Sequence, residues 1–529
     1  MTVGLFSVSN KFGALLSRLQ GHLIGPSRAS DLSNVLLDNG SIQPANDVGT
    51  VVTTGAGTLR SIYKAGSVWS LSTTAYQYVE FGGFLIRVAS GAASQISADN
   101  GTTWYNLGIT APSSAPTIGY GAGALTGTYY YYVTFVSALG GESAPSPISA
   151  AATPVAQGVA LTNIPTGASG DNVTSRRIYR VGGTLTTINL VGTIADNVTT
   201  TLTDAVSDAT AATGAVLSST TYTPPGQLEW IAVSPYGILF GGIGARVYYS
   251  VAALPRAWPT ANYVDLPEAT VAGAYYAGAM TVLTGAQPYV INGNSTSTFS
   301  VIGIPAQQGC VARDSLVDMG HSLFYRSNDG ICRFTGRDVE VISKESLADA
   351  LLDGASATNC KAARYNERYL IFFQSGTSFP SGGYVEWNPR VDGEWLKGTT
   401  PANAVHYNRT ADALYVAQTS DVRQWEAGAT LAGYYVTGDW IDRTYSLLKH
   451  WTIVAVDHTG TIAVDVIIDG TTVVTGRSCV QGSSVGRSRF YLPPGRKGRA
   501  ISFKVSWAAG ASVRVVEVMD NIARKAQRL

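Results

Sequence analysis

The chain has 529 residues, enough for about two to four domains with cores of their own. Only 13% of residues are charged and the formal net charge is +1, which excludes an electrostatic case for a dedicated nucleic-acid or acidic-ligand binder. Low charge on so large a chain also leaves apolar and hydroxylic surface that is safe once another subunit covers it, so composition leans towards an assembly component.

Residues 1–50 form a lead-in. Phe12, Leu15, Leu16 and Leu19 recur at helical spacing and predict one short amphipathic helix; residues 28–40 predict a strand running into a turn. Met1 to Phe6 lacks a basic leader, and no apolar stretch approaches the ~20 residues of a membrane helix, so we expect synthesis in the cytosol with no encoded export signal or membrane anchor.

From residue 51 to 110 strands alternate with turns. Here Ser97-Ala98-Asp99-Asn100-Gly101-Thr102-Thr103-Trp104 fits the Asp-box pattern S-x-D-x-G-x-T-W of sialidase-type blades. Its role is structural: a turn between outer strands, capped by the Asp99 carboxylate, with Gly101 at φ > 0 and Trp104 packing between blades. Ser97 and Thr103 complete the motif. A weaker echo follows at Ser327-Asn328-Asp329-Gly330.

Residues 111–224 change character. Thr128 to Val136, rich in Tyr, predicts a strong strand, and Gly140-Gly141-Glu142-Ser143-Ala144-Pro145-Ser146-Pro147 a turn followed by a proline-stiffened edge. Further strands at residues 176–181 and 200–204 suit one Fn3/Ig-like β-sandwich. Residues 225–437 return to strands and turns. From residue 438 to 529 we expect a C-terminal β-sandwich: Asp469-Gly470 marks a hairpin, Ile501, Phe503, Val505 and Trp507 alternate with polar residues, and residues 513–519 look like the partner strand.

Turns at Gly82-Gly83, Tyr236-Gly237, Gly278, Gly320, Asn366 and Asn408 each precede an apolar strand. The last five lie about 42 to 46 residues apart, and excising the insert brings the first gap to about 41, the length of a four-stranded blade. The expectation is an all-β chain: a β-propeller of about six blades, split by the Fn3/Ig-like sandwich and followed by the C-terminal one.

Candidate chemistry is sparse. The Asp-box reports fold rather than glycosidase activity. His22, His321, His406, His450 and His458 form no ligand pair, and Cys310, Cys332, Cys360 and Cys479 fit neither a disulfide framework nor a zinc site. Glu386, Asp392 and Glu394 flank a turn and read as solvated carboxylates; Gly119-x-Gly121-x-Gly123 precedes a strand rather than a phosphate-binding helix; the basic turn at residues 495–499 reads as a solvated hairpin tip. We assign no catalytic, cofactor-binding or metal residues and expect no enzyme.

The stretch from Leu228 to about Trp425 resembles the tail nozzle (tail hub) proteins of short-tailed bacteriophages. The likeness runs through Tyr236-Gly237-Ile238-Leu239-Phe240, Arg246-Val247-Tyr248-Tyr249-Ser250, Leu254-Pro255-Arg256-Ala257-Trp258-Pro259, Gln308-Gly309-Cys310-Val311-Ala312-Arg313-Asp314-Ser315 and Arg364-Tyr365-Asn366-Glu367-Arg368-Tyr369. These are packing and turn motifs, so no site residue carries over. The resemblance implies a virion structural protein of the tail, assembled in the host cytoplasm. It would form a homohexameric ring below the tail adaptor that holds fibres or tip proteins, passes duplex DNA without sequence-specific contacts and gates genome ejection. An alternative from composition is a tail adhesin, a tailspike-like propeller whose Tyr and Trp residues stack on host surface polysaccharide.

Overall fold

Strands with both faces buried organise most of this chain. Ala279–Thr284, Leu323–Ser327, Arg368–Phe373 and Ala413–Ala417 are buried at every position, so their sequences are mostly apolar without strict alternation, and the polar residues among them, such as Arg326 and Arg368, are buried too. Each is the second strand of a four-stranded antiparallel meander. The computed structural model describes residues 4–9, 28–38, 41–295, 297–344, 346–347, 360–373, 383–389, 394–441, 448–508 and 510–521. The helix expected at Phe12 to Leu19 lies outside them.

Among the described residues there are six such meanders. The first runs from Gln77–Phe81 to Tyr105–Asn106, the second from Trp230–Val233 to Tyr263–Asp265 and the third from Thr270–Tyr276 to Ser300–Gly303. The fourth runs from Val317–Asp318 to Val339–Val341 and the fifth from Cys360–Tyr365 to Glu394–Gly398. The sixth takes three strands from Ala404–Asn408 to Asp421–Gln424, and its fourth is Val51–Thr54 from the far end of the chain. The six sequence turns each join the first strand of a meander to its second. Ala277 and Gly278 have φ of 51° and 87°, and Asn366 and Glu367 49° and 65°, the double positive φ of tight hairpin turns.

The chain divides into two compact units, one comprising Tyr63–Ser70 with Ala75–Gly309, the other the remainder. In the first unit, meanders one and two share Ile86, Val88 and Ile96 with Leu228, Leu239 and Trp258. Meanders two and three share Trp230, Phe240, Met280 and Val282. The Trp230 indole donates to Thr270 Oγ1 at 3.0 Å, and a Cβ on Gly273 would come within 2.3 Å of its ring. In the second unit, Phe324 and Ile331 pack with Tyr369 and Ile371, and Leu370, Phe372 and Tyr384 with Leu414, Val416 and Trp425.

The insert forms two three-stranded sheets, one of Thr117–Thr126, Val155–Thr162 and Leu202–Asp204, the other of Tyr129–Ser137, Val173–Gly182 and Leu185–Ile194. Between them lie Leu125, Tyr131, Val133, Phe135, Val159, Leu161 and Ile178. Ser143, Ser146 and Ser149 then run alongside Tyr129–Ser137 with a three-residue period. Their amides donate to the carbonyls of Phe135, Val133 and Tyr131 at 2.9, 2.8 and 3.1 Å. Their hydroxyls accept the amides of the same three residues at 2.9, 3.0 and 2.9 Å. Prolines at 145 and 147 cost this edge nothing, because serines carry the pairing.

The C-terminal module pairs a five-stranded sheet, with Gly433–Thr437, Ile501–Trp507, Thr461–Ile468 and Thr471–Val480, against a seven-stranded one built on Lys449–Thr459 and Ser512–Asn521. Val454, Val456, Val516 and Val518 face Val464, Val466, Phe503 and Val505 in its core. Three expectations need correcting. Residues 513–519 do not pair with Ile501–Trp507; they lie in the opposite sheet, against Lys449–Thr459. Nor is the lead-in separate from the C-terminal module: Gly4–Ser9 pairs with Ser512–Asn521, and Ala29–Ser33 pairs with Gly433–Thr437, which belongs to that module's five-stranded sheet although it precedes residue 438. The single strand expected at residues 28–40 is two, Ala29–Ser33 and Val35–Asp38, in different sheets. The switch is Asn34, whose φ is 55° and whose side-chain Nδ2 donates to Ala432 O at 2.8 Å.

Candidate functional site

The Asp-box turn joins the third and fourth strands of the first meander, Gln95–Ser97 and Tyr105–Asn106. Ser97 is buried; its hydroxyl donates to Asp99 Oδ1 at 2.6 Å and accepts the Gly101 amide at 2.8 Å. Asp99 Oδ1 also accepts the Thr103 amide at 2.8 Å. Desolvation at the turn would raise the Asp99 carboxyl, but the bonds from Ser97 and Thr103 outweigh it and hold the group at about 2. Gly101 sits at φ 93°, and a Cβ there would come within 2.2 Å of the buried Ser70 Oγ, so no other residue fits.

Trp104 departs from the expected inter-blade position. Its ring lies over the Arg87 guanidinium of its own sheet, 4.0 Å from centroid to Cζ, with Tyr78 at 6.2 Å. The reason is register: Tyr78, Arg87 and Gln95 stand opposite one another on three adjacent strands, so the turn folds its Trp back onto that row. The Tyr76 ring also lies against this guanidinium, its centroid 4.4 Å from the same Cζ. Gln95 Oε1 accepts from Nε and Nη2 at 2.8 and 2.6 Å. The echo at Ser327 to Gly330 turns between the second and third strands of its meander and is not the equivalent of the Asp-box.

Sequence reasoning missed the buried charges that fix the insert. Arg256 is 2% exposed, and from a loop of the second meander it donates through Nη1 to Gly140 O at 2.5 Å and through Nη2 to Ser137 Oγ at 3.1 Å. Burial pushes its guanidinium down to about 10, partly offset by the Asp171 carboxylate. Asp171, fully buried in the insert, accepts Asn106 Nδ2 at 2.8 Å and the Thr110 amide at 3.1 Å. Ile109 N donates to Tyr222 O at 2.7 Å, so the two ends of the insert meet. The insert is thereby clamped to the first two meanders. The signal in the sequence was an arginine between Pro255 and Trp258 in an otherwise apolar loop.

A cleft of about 410 Å³ opens at the root of the insert, lined by Val136, Glu142, Arg177, Thr220, Tyr222 and Leu254. The Glu142 carboxylate is already occupied by Tyr179 Oη at 2.8 Å and Arg177 Nη1 at 2.7 Å. Deeper in the insert, Arg180 and Asp204, both fully buried, pair at 2.7 Å, and Tyr131 Oη donates to the same carboxylate at 2.9 Å.

The remaining candidates scatter. Glu386 is not solvated: it is 1% exposed on the strand Gly383–Asn388 and pairs with Arg368 at 3.2 Å, which also binds Glu426 at 2.7 Å. Burial raises the Glu386 carboxyl despite Arg368. Asp392 and His22 lie outside the described residues, as does the side chain of Glu394. His458 is buried and bonded to Ser488 Oγ at 2.8 Å. All four cysteines are buried free thiols; burial pushes Cys310 up to about 12. Among the described residues no group of three or more His, Cys, Asp or Glu could hold a metal, and no helix is long and apolar enough to cross a membrane. Gly119, Gly121 and Gly123 lie within the strand Thr117–Thr126. Arg496, Lys497 and Arg499 are exposed, and the Arg499 amide is tied to Asp469 at 2.9 Å.

No family model and no curated protein matches the chain. Among solved structures it is similar to the extracellular domain of the putative hybrid two-component system BT4673 from B. thetaiotaomicron, with 9% identity and a TM-score of 0.27 over 64% of this chain; it spans 42% of that one. YCF48 from Cyanidioschyzon merolae gives 10% and 0.25 over 72% of this chain and 98% of its own. The WD40 beta propeller domain of Doa1 gives 12% and 0.23 over 51% and 88%. Likenesses this loose carry no argument about function; the described residues are almost wholly β in their regular structure.

Proposed function

We propose that the six meanders close into a propeller and that the protein is a structural component of a bacteriophage tail, the nozzle ring through which the genome leaves. The observation that carries the reading is Val51–Thr54, which completes the sixth meander from the N-terminal side, the way a propeller joins its first segment to its last. The nozzle resemblance between Leu228 and Trp425 supplies the role, and the low charge favours an assembly. In this reading the insert is an Fn3/Ig-like module held on the rim by Arg256 and Asp171. The ring is a homohexamer below the tail adaptor, it contacts fibres or tip proteins, and it performs no catalysis. Its channel passes duplex DNA on neutral or acidic loops, since rows of Arg and Lys would hold phosphates through counterion release and slow ejection. Light scattering on the purified chain tests this: a mass six times 55.5 kDa supports it, and a monomer at all concentrations refutes it.

A further inference from the structure

We propose that the aromatic and guanidinium pile on the first meander is a saccharide-binding platform, with Trp104 and Tyr76 as stacking surfaces and Arg87 as the fixed hydrogen-bond donor. Tyr63 stacks on Tyr78 with ring centroids 5.1 Å apart, Tyr78 lies 6.3 Å from Tyr76 and 6.2 Å from Trp104, and the Arg87 Cζ lies 4.4 Å from the Tyr76 centroid and 4.0 Å from that of Trp104. Each of these side chains is half-buried, so each is held by its neighbours while part of it faces water. A core would bury them completely.

A pyranose ring offers an apolar C–H face and a rim of hydroxyls. The first matches an ordered indole or phenol ring; the second matches a guanidinium whose orientation is already set. Gln95 sets it here by engaging Nε and Nη2, which leaves Nη1 to meet ligand oxygens. Because the rings and the guanidinium are pre-ordered, little side-chain entropy is lost on binding. Tyr, Trp and Arg also serve protein interfaces, so a peptide is the competing occupant that the test has to separate from a saccharide. The inference is independent of the ring: Tyr78, Arg87 and Trp104 belong to the first meander, Tyr76 directly precedes it and Tyr63 lies on the strand Ser61–Ala65, so no second copy is needed and either reading can fail alone.

The test is calorimetry and array binding with the intact protein against soluble neutral glucans, uronate-containing polysaccharides and a proline-rich decapeptide. The expected result is binding to a polysaccharide of either class, weakened at least tenfold, about 1.4 kcal/mol, by Tyr76→Ala and by Arg87→Gln. Melting temperature and assembly state should stay unchanged in both. Trp104→Phe, which keeps a stacking ring, should retain most of the affinity that Trp104→Ala removes. Binding to no polysaccharide on the array, binding indifferent to all four substitutions, or binding of the peptide through the same residues would each overturn the proposal.

Discussion

Replacing Arg256 with alanine should loosen the insert from its scaffold. The side chain makes two strong bonds, to Gly140 O at 2.5 Å and Ser137 Oγ at 3.1 Å; the third, to Gly108 O at 3.4 Å, is too long to count for much. Bonds from a charged donor contribute about 1.5–3 kcal/mol each, and the desolvation of a guanidinium only 2% exposed takes back part of that sum. Asp171, left without a cation nearby, adds a further cost. We expect a net loss of about 3 kcal/mol for Arg256→Ala, and a smaller one for Arg256→Lys, whose ammonium cannot reach both acceptors. Urea unfolding gives the magnitude, and hydrogen exchange gives the place. The amides of Gly140, Ser143 and Ile109 should lose protection, while those of Ala279–Thr284 in the third meander should not. Arg256→Ala with wild-type stability and unchanged exchange around Gly140 would refute the clamp.

Asp99→Ala should cost about 1 kcal/mol by uncapping the turn, without altering assembly. Because the Asp99 carboxyl is held at about 2, its contribution is complete above the unfolded value near 4 and lost as pH falls through about 2; an acid titration of wild type against the variant reads this, and the exposed setting keeps the effect small. Arg368→Ala should destabilise by about 3–5 kcal/mol, since it strands the buried Glu386 carboxylate, and thermal unfolding at neutral pH should show it. Replacing residues 111–224 with a short Gly/Ser bridge should leave a soluble β-rich protein by circular dichroism, because Ile109 and Tyr222 already meet at 2.7 Å; wholesale aggregation would count against an inserted module.

Local features of the fold were legible in the sequence, and distant pairings were not. Asp469-Gly470 announces its hairpin because two adjacent positive φ values demand such residues, and the turns at Gly82-Gly83, Ala277-Gly278 and Asn366-Glu367 share that geometry. Nothing near Val51 says that it pairs with Arg423, or near Ser512 that Lys449–Thr459 is its neighbour, since backbone pairing leaves no residue signature. Asn34 looked like an ordinary strand residue and proved to be the point where the chain changes sheets. Glu386 was misread because its turn-like neighbours Asn388 and Pro389 suggested solvent, while its partner Arg368 stands one strand away. Arg87 and Trp104 were visible individually; their stacking depends on a register that spacing alone does not fix.

Single-particle electron microscopy of the purified chain tests the central claim most directly. The account predicts closed rings of six copies, each showing a six-bladed disc with the insert projecting at its rim, around a lumen wide enough for duplex DNA and lined by neutral or acidic loops. Isolated single copies, or a lumen lined with rows of Arg and Lys, would contradict it.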